Sequence, residues 1–507
     1  MLTTGAPEWE QVSPYCGVCA PERRRQSLLS RADPSAVAAL RIVKRRFRNA
    51  KTSRNGATTM KTAAYLDRTT RQSARLIGFP TPRRHADHAP QKTISPDHAG
   101  RREIHRCEVC GTVSLQSMLN LGKHPMRDDL VPIGDARICR QYPIEILFCE
   151  TCCTAHQRFQ VPKQDLFPQT YHYRARQTLD VLNGMRSLVA ACFAKYGDLS
   201  GKKVLDVGCN DGSLLSIFAE HGAETYGIEP TGAAADASAS GHRVWNSFFS
   251  EDVARSFVAQ FGQPDIITFT NVFAQIEDLP DVIRALNVLS SPRTKIVIEN
   301  HYLGSILAGR QFDTFHHEHP RTYSGTSFQF IAKSLGMFIS QVEFPKRYGG
   351  NVRVFLSGAW DSEESSFVRA AMFERERRYG RDLARLPQEI ALWRARKAAE
   401  IKSAVKRYGP LAGMAFPDRA AIPIRLLGLD HTSISAVYEK PGSGKIGHFI
   451  PGTRIPILSD DAFPAADRAK PLVNMAWHIA DEIETCLRGR GFHAEIIGII
   501  APGDFAA

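Results

Sequence analysis

The sequence of 507 residues has no long hydrophobic run, since no segment approaches the ~18 consecutive apolar residues that cross a bilayer. It also has no apolar stretch near its beginning, so we expect no secretory signal. Its eleven cysteines are odd in number and several form Cys-x-x-Cys pairs, which argues against a disulfide framework. These absences predict a cytoplasmic protein without a membrane partner, whose thiols stay reduced and available to a metal.

Most of the chain also lacks net charge. The formal net charge is +13, yet residues 1–106 hold 21 Lys and Arg against 8 Asp and Glu, so the remainder is neutral. Residues 1–103 are rich in Arg, Ser, Thr and Pro with little helical periodicity, and we predict a disordered basic extension. A solvated tail, which we favour, an arm for nucleic acid or a membrane surface, and an upstream extension with Met60 as an internal start all remain open.

The rest of the chain divides into four predicted segments. Short apolar pieces flanked by cysteine pairs fill 104–168, and buried strand-like runs alternate with helical runs over 169–358. Charged, helix-forming residues form a connector over 359–408, and 409–507 is again α/β in pattern. Such alternation predicts parallel sheets covered by helices on both faces. The expected strands include Thr225–Ile228, Asp265–Thr270, Lys295–Glu299, Val352–Ser357, Ile424–Leu427, Ser435–Tyr438 and Pro471–Met475.

Two Cys-x-x-Cys pairs predict a zinc site. Cys107, Cys110, Cys149 and Cys152 can supply four thiolates in a tetrahedron around the metal. The metal would provide folding energy that so short a segment cannot gain by apolar burial. Four protein ligands leave no open position, so the predicted site is structural and not catalytic. Cys153 could replace Cys152 as the fourth ligand, and free thiols are the alternative.

A glycine turn predicts a binding site for a ribose-bearing cofactor. Gly208 and Gly212 lie between a buried strand and a helix, where the backbone lets a ligand approach free N–H groups. Glu229 closes the next strand, where an acidic residue can accept hydrogen bonds from ribose hydroxyls. Asn210 and Ser213 stand where a dinucleotide fingerprint has glycine, which favours S-adenosylmethionine; a tight turn with a surface Glu is the alternative. The predicted cofactor-binding residues are Asp206, Gly208, Asn210, Asp211, Gly212, Glu229, Asn271 and Val272.

Polar residues near later turns are further candidates for ligand contacts. Asn271 and Gln275 follow a predicted strand, and the ligand crevice of an open α/β sheet lies at the carboxyl ends of its strands. A Gly-Gly turn after Tyr348 could bring the backbone close to a substrate or form only a hairpin. Lys445 ends a Gly-Ser-Gly-Lys run without the first glycine of a phosphate-binding loop, so phosphate contact and a solvated lysine both remain open.

Three histidines surround Glu318. His316, His317 and His319 lack the HExxH spacing of a zinc helix, and adjacent side chains of an extended segment point in different directions. We therefore prefer a general base, a histidine oriented by a carboxylate, over a metal site. A polar loop with satisfied histidines is the alternative.

In this order, the motifs resemble those of the S-adenosylmethionine-dependent C-methyltransferases of deoxysugar biosynthesis, which act on nucleotide-linked 4-keto sugars. The similarity runs from about Cys107 to Pro502 and rests on CEVC, CETC, Tyr171-His-Tyr173, LDVGCNDGSLL, GIEP, NVFAQI, FDTFHHEH, GGNVRV, PGTRIPI and AWHIADEI. The resemblance implies a small N-terminal zinc subdomain and a class I methyltransferase domain with a Rossmann-like α/β core. It also implies a C-terminal Rossmann-like α/β domain that helps to hold the sugar nucleotide.

The resemblance also implies roles for individual residues. His319 would be the general base that removes the proton beside the ketone, and Glu318 would assist it. The sequence departs from the family pattern at His316, where the family has Tyr, at Gln275, where it has His, and at Asn351, where it has Ser. His316 completes the candidate catalytic set. The candidate substrate-binding residues are Tyr171, Tyr173, Gln275, Tyr348, Asn351, Arg353 and Lys445.

Two other functions remain open at this point. The basic extension beside a zinc module is compatible with an RNA methyltransferase, although the neutral remainder of the chain counts against one. The altered pocket positions are compatible with a scaffold that binds S-adenosylmethionine without catalysis. The sequence leaves open the sugar, the methylated atom and the oligomeric state.

Overall fold

A computed structural model describes residues 102–171, 173–358 and 363–505, and for 363–369 it describes the backbone only. Residues 1–101 of the predicted extension, Met60 among them, lie outside the described residues. The last two residues of that extension, Arg102 and Glu103, are not disordered, because they pair with Phe159 and Gln160 as a short strand. Among the described residues, no helix combines the length and the apolar composition that a membrane crossing needs.

The cysteine-flanked segment folds around an antiparallel sheet. Tyr142, Ile144 and Ile146 are buried in alternation along one strand, which is the period of a strand with one covered face. The elements of this segment are β1 (Arg102–Glu103), β2 (Gln116–Pro125), β3 (Val131–Pro132), β4 (Gln141–Cys149), β5 (Thr154–Gln157), β6 (Phe159–Gln160) and α1 (Lys163–Leu166).

The central segment alternates strands and helices. Its elements are α2 (Leu179–Tyr196), β7 (Lys203–Val207), α3 (Ser213–Glu220), β8 (Glu224–Ile228), α4 (Ala233–Ala239), β9 (Arg243–Trp245), α5 (Glu251–Phe261), β10 (Ile266–Thr270), α6 (Leu279–Leu289), β11 (Lys295–His301), α7 (Leu303–Ala308), β12 (Arg321–Thr322), α8 (Gly325–Ser334), β13 (Phe338–Glu343) and β14 (Asn351–Ser357).

The central strands form one seven-stranded sheet in the order β13-β14-β11-β10-β7-β8-β9. Strands β7 to β11 pair in parallel, and β14 runs antiparallel to both of its neighbours. Along β7, Val204 and Leu205 enter different hydrophobic cores, so both faces of the sheet are covered. This arrangement confirms the predicted α/β core.

The short strand β12 leaves the central domain and extends the sheet of the cysteine-flanked segment. It pairs antiparallel with β5, which gives that sheet the order β12-β5-β4-β2. The histidine-rich segment, residues 312–324, is therefore anchored in the sheet that carries the cysteine pairs.

The last part of the chain adds two helices and a second α/β layer. Its elements are α9 (Glu363–Glu376), α10 (Tyr379–Tyr408), β15 (Leu411–Met414), α11 (Ala421–Leu427), β16 (Ile434–Glu439), β17 (His448–Phe449), β18 (Ile457–Ser459), β19 (Leu472–Asn474), α12 (Ala480–Gly489) and β20 (Ile496–Gly498). Five of these strands form a parallel sheet in the order β18-β16-β15-β19-β20. That strand order confirms the predicted C-terminal Rossmann-like domain.

One expected strand is wrong. Ile424–Leu427 lies at the end of helix α11 and not in the sheet. Pro423 stands near the start of that helix, where a missing backbone N–H costs nothing, so the apolar run continues as a helix. The first strand of this domain is instead β15. It has only four residues, one of them Gly413, which is too short a run for its hydrophobic pattern to predict a strand.

Candidate active site and metal centre

The glycine turn after β7 is built from left-handed backbone. Gly208, Asn210 and Gly212 have φ values of 74°, 50° and 78°, a region that L-residues with side chains rarely adopt. A Cβ on Gly208 would lie 2.5 Å from the side chain of Val272, so glycine is required there for space as well as for conformation. The turn therefore brings β7, helix α3 and the loop after β10 into close approach at the carboxyl edge of the sheet.

The acidic residues of this region mainly tie its loops together. Glu229 accepts from the backbone N–H of Asn210 at 2.9 Å and from that of Thr231 at 2.9 Å. Asp211 accepts from the Ser213 hydroxyl at 2.6 Å. Asp206 is buried in β7, accepts from the hydroxyl of Thr268 at 2.6 Å, and burial raises its pKa to about 7. A carboxylate oxygen has more than one lone pair, so Glu229 keeps capacity to accept a ribose hydroxyl.

Asn271 links the glycine turn to the neighbouring strands. It follows β10 with φ of 55°, and its side-chain oxygen accepts from Asn351 Nδ2 at 3.2 Å. The same nitrogen of Asn351 also lies 3.1 Å from Glu299. Arg353 and Arg347 make ion pairs with Glu299 at 2.7 and 3.2 Å.

Two of the predicted substrate contacts have partners inside this network. Arg353 is buried, and its Nε and Nη1 pair with Glu299 and Glu343, each at 2.7 Å. Asn351 is equally buried and bridges Asn271 to Glu299. Strands β14 and β11 are neighbours in the sheet, so these side chains contact side chains of β11. The contacts hold the polar edge of the sheet in place.

The histidine-rich segment places a cluster of aromatic rings at the same edge. The rings of His316 and His319 lie 4.0 Å apart, and the His319 ring lies 5.0 Å from that of His301, the last residue of β11. Tyr348, with φ of 53°, puts its ring 5.6 Å from His301. His301 is the register partner of Asn351 in the β11–β14 pair. His319 is thus connected to the glycine turn through His301, Asn351 and Asn271.

The hydrogen bond of His319 fixes its tautomer. Nδ1 lies 3.1 Å from the carbonyl oxygen of Thr314, and a carbonyl can only accept, so Nδ1 carries the proton. Among the described residues, Nε2 has no hydrogen-bond partner. Burial, followed by the charges of Arg127 and Arg419, lowers the pKa of His319 to about 3. His319 is therefore neutral near pH 7, with its Nε2 lone pair unused.

Glu318 contacts a different residue from the one expected. Both of its carboxylate oxygens accept from Arg127, at 2.5 Å from Nε and from Nη2, and its side chain is 3% exposed. Nδ1 of His319 donates instead to the carbonyl of Thr314. Nη2 of Arg127 also lies 3.5 Å from the hydroxyl of Tyr171, one of the predicted substrate contacts.

The C-terminal domain closes the other side of the cluster. Lys445 donates to Asp418 and to the carbonyl of Phe416, each at 2.7 Å, so this predicted phosphate contact is already paired within its own domain. A side-chain hydrogen bond joins Tyr173 to Tyr348, a member of the ring cluster. Gln275 is half-buried, and no bond from its side chain to the cluster is seen among the described residues. Of the predicted substrate residues, Tyr348 therefore lies in the ring cluster, and Asn351 and Arg353 lie buried in the neighbouring sheet.

Three residues of this site carry no role in the sequence analysis. His301 could have been found by the rule that selected Asn271, because both are polar residues at the carboxyl end of a strand. Arg127 and Arg419 are single basic residues in loops, and their positions depend on contacts over long sequence separations.

The metal centre contains the four predicted cysteines. The thiols of Cys107, Cys110, Cys149 and Cys152 all lie within 4.8 Å of one another, and this set is the one candidate metal cluster within the described residues. Four sulfur donors at such distances fit tetrahedral zinc. Cys153 is excluded as the fourth ligand because its sulfur points to the carbonyl of Glu376, at 3.7 Å.

Three family models match the chain in succession. Residues 107–167 match a zinc binding domain, 173–339 match a methyltransferase domain, and 346–491 match a C-methyltransferase C-terminal domain. The C-terminal match begins before β14, whereas the sequence pattern placed the start of that domain near residue 409.

Several proteins to which the chain is similar are methyltransferases. The C-methyltransferase NovU of Streptomyces niveus is 27% identical over 388 residues, which cover 75% of this chain and 92% of the relative. A ubiquinone biosynthesis O-methyltransferase of Acinetobacter baylyi is 34% identical over 100 residues, which cover 19% of this chain and 42% of the relative. Among solved structures, the magnesium protoporphyrin IX methyltransferase of Synechocystis with bound SAM is 16% identical, with a TM-score of 0.27 over 35% of this chain and 79% of its own.

Proposed function

Because the chain is an S-adenosylmethionine-dependent methyltransferase with the zinc-binding, methyltransferase and C-terminal domains of a C-methyltransferase, we propose that it methylates a carbon beside the carbonyl of a nucleotide-linked keto sugar. The proposal is supported by the ordered motifs of the sequence and by the neutral charge of the catalytic body. The observation that carries it is the unused Nε2 of His319 at the carboxyl edge of the central sheet.

The residues at the glycine turn fit the methyl donor. When bound, S-adenosylmethionine supplies an electrophilic methyl group that a carbon nucleophile can attack. The left-handed turn at Gly208 and Gly212 leads into the start of helix α3 at the carboxyl edge of the sheet, and Glu229 retains lone pairs for ribose hydroxyls. Asn271 and Val272 would close this side of the cofactor, since both follow β10 at the same edge.

His319 is the proposed general base. Its Nε2 would accept the proton from the carbon beside the ketone, while the Nδ1–H···O bond to Thr314 keeps the ring in the required tautomer. The rings of His301 and His316 pack against it and hold its orientation. Removing the proton leaves a pair of electrons on the carbon, delocalised onto the carbonyl oxygen as an enolate.

Two positive charges would stabilise this enolate. Arg127 and Arg419 both act on His319, and they disfavour its protonated form in the free enzyme. A negative oxygen formed beside them has the opposite preference, so the same charges would stabilise the enolate oxygen. In this proposal Glu318 keeps Arg127 in place, and this is how Glu318 assists catalysis.

Hydrogen exchange measures proton removal by the base separately from methyl transfer. The purified protein would be incubated in heavy water with S-adenosylhomocysteine and each member of a panel of nucleotide-linked keto sugars. We expect deuterium at the carbon beside the ketone of the true substrate, and with labelled S-adenosylmethionine we expect the methyl group on that carbon, both read by mass spectrometry. Replacing His319 with Asn should lower both rates by ~10²–10⁴, the contribution of a positioned base.

A matched variant controls for the loss of a histidine. His221 is exposed at the end of helix α3, and His221→Asn should leave both rates unchanged. Methyl transfer to oxygen in place of carbon, or full exchange in His319→Asn, would contradict the proposal.

A further inference from the structure

Arg419 joins the C-terminal domain to the histidine-rich segment. It lies in the loop after β15, and its Nε and Nη2 donate to the two oxygens of Asp313 at 2.7 and 2.9 Å. Nη2 also donates to the hydroxyl of Thr314 at 2.7 Å, and Nη1 to the carbonyl of Tyr348 at 3.3 Å. One guanidinium therefore contacts three residues of the central domain.

Trp477 completes this contact from the same domain. Its ring lies 4.7 Å from the Arg419 guanidinium carbon, and its Nε1 donates to Asp313 at 2.8 Å. The stacked ring covers the guanidinium, and Arg419 is 9% exposed. The planar guanidinium makes two hydrogen bonds to Asp313 and is covered by the ring of Trp477. It therefore has little freedom to move, and it fixes the position of the groups that it contacts.

Thr314 connects Arg419 to the proposed base. Its hydroxyl accepts from Arg419, and its carbonyl oxygen accepts from Nδ1 of His319. Thr314 ends a single helical turn, Phe312–Thr314, so we expect the hydroxyl and the carbonyl of Thr314 to move together. Tyr348, whose carbonyl also accepts from Arg419, packs its ring against His301, the neighbour of His319.

We propose that Arg419 is a positioning residue, which holds the ring of His319 in its active tautomer and orientation through Asp313 and Thr314. This inference rests on the proposed role of His319 as the base. It assigns to the C-terminal domain a part in the chemistry, in addition to any part in holding the substrate.

A structural clamp without this effect is the competing explanation. Such a clamp would stabilise the contact between the domains and leave the protonation state of His319 unchanged in any variant that folds. The charged and titratable groups that act on His319 from the surrounding elements are Arg127, Arg419, His301 and His316. Behind them, Glu318 pairs with Arg127, Asp313 pairs with Arg419, and His478 acts on His301.

The test measures His319 directly in the full-length protein. The imidazole nitrogens of protein labelled with [15N]histidine report the tautomer by NMR, and the His319 signal is identified by its loss in His319→Asn. Arg419→Gln should convert His319 from one tautomer to a mixture, because the Thr314 carbonyl is no longer held. Arg419→Lys keeps the charge but replaces the planar fork, whose Nε and Nη2 bond Asp313 and Thr314, by a single nitrogen, so it should give the same mixture.

Two further variants make the result independent of folding and of substrate. Thr314→Val keeps the carbonyl and removes the hydroxyl that Arg419 contacts, so it should also convert His319 to a mixture of tautomers. This variant provides the test if the arginine variants do not fold. Arg425→Gln, six residues along in helix α11 with a contact to Gln141, should leave the His319 signal unchanged.

Activity gives the second measurement. With a sugar that the wild type methylates, Arg419→Lys should lower kcat by ~100-fold, as for a misplacement of ~1 Å, and change KM much less. An unchanged His319 tautomer in folded Arg419 and Thr314 variants would overturn the positioning role, even if every sugar is methylated. Failure to methylate any sugar would instead contradict the proposed function and leave the NMR result standing.

Discussion

Nε2 of His156 lies 3.3 Å from the sulfur of Cys107, and the same histidine is the register partner of Arg321 in the β5–β12 pair. Arg321 is two residues beyond His319 and makes an ion pair at 2.6 Å with Glu108, the neighbour of Cys107. The metal centre and the proposed base are therefore parts of one packed unit, although their chemistry is separate.

The first prediction concerns removal of the metal. Cys149→Ser should abolish stoichiometric zinc, lower the melting temperature and remove methyl transfer, because β12 and the segment before it lose their anchor. Binding of S-adenosylmethionine should persist, since the glycine turn lies on β7 and α3. Native mass spectrometry, calorimetry and an activity assay measure these effects. Cys153→Ser, outside the cluster, should keep the zinc, and loss of zinc in that variant would contradict the assigned ligand set.

The second prediction concerns the glycine turn. Gly208→Ala should lower the affinity for S-adenosylmethionine by more than tenfold, because its Cβ would lie 2.5 Å from Val272 at a φ of 74°. Gly201→Ala is a matched control, with φ of 68° and nothing within 4 Å of its Cβ. The control should cost ~1–2 kcal/mol of stability from left-handed strain and leave cofactor affinity unchanged. Equal affinities in the two variants, by calorimetry, would mean that this turn does not contact the cofactor.

The third prediction is a coupling between Arg127 and Glu318. Glu318→Gln and Arg127→Gln should each lower kcat, because a buried charge loses its partner. The double variant should lose little more than the worse single variant, since the two residues act as one unit. Additive losses in this double-mutant cycle would show that Glu318 acts on the reaction independently of Arg127.

The fourth prediction concerns acid stability. Burial, partly opposed by a bond to the Tyr142 carbonyl, lowers the pKa of His317 from 6.5 to about 4, while burial and nearby arginines lower that of His319 to about 3. Below pH 6.5 the unfolded chain binds protons that the folded chain does not, so the free energy of unfolding falls as the pH falls. Each such histidine contributes up to about 1.4 kcal/mol per pH unit, until the pH reaches its folded pKa.

Urea unfolding of His317→Gln measures this effect. Its stability should depend less steeply on pH than that of the wild type, by close to one proton between pH 6.5 and about pH 4. Exposed His221→Gln should keep the wild-type slope. A wild-type slope in His317→Gln would show that His317 is protonated in the folded protein.

The sequence predicts those parts of the site in which function depends on local spacing. The two cysteine pairs, the glycine turn and the alternation of strands and helices each extend over a few residues, and each is recovered in the structure. The roles assigned to the acidic turn residues and to His319 as base stay predictions that the experiments above address.

Residues whose partners are distant in sequence were not predictable in this way. Arg353 has the residue type of a substrate contact, but its partner Glu299 lies on the adjacent strand, and the sequence alone does not specify that register. Arg127 meets Glu318 across 191 positions and Arg419 meets Asp313 across 106. Such pairs become visible when the sheets place their loops together.

These long-range pairs restrict how the protein can be recombined with its relatives. Each of the two ion pairs beside His319 joins the central domain to a different flanking domain. Arg127 comes from the domain that precedes it in the chain, and Arg419 comes from the domain that follows it. In a chimera with a crossover between the central and last domains, Arg419 and Asp313 come from different parents. The arginine of one parent must therefore fit the carboxylate of the other. Domain shuffling to alter sugar specificity should succeed where both partners of a pair come from one parent, and give folded but inactive enzymes where they do not.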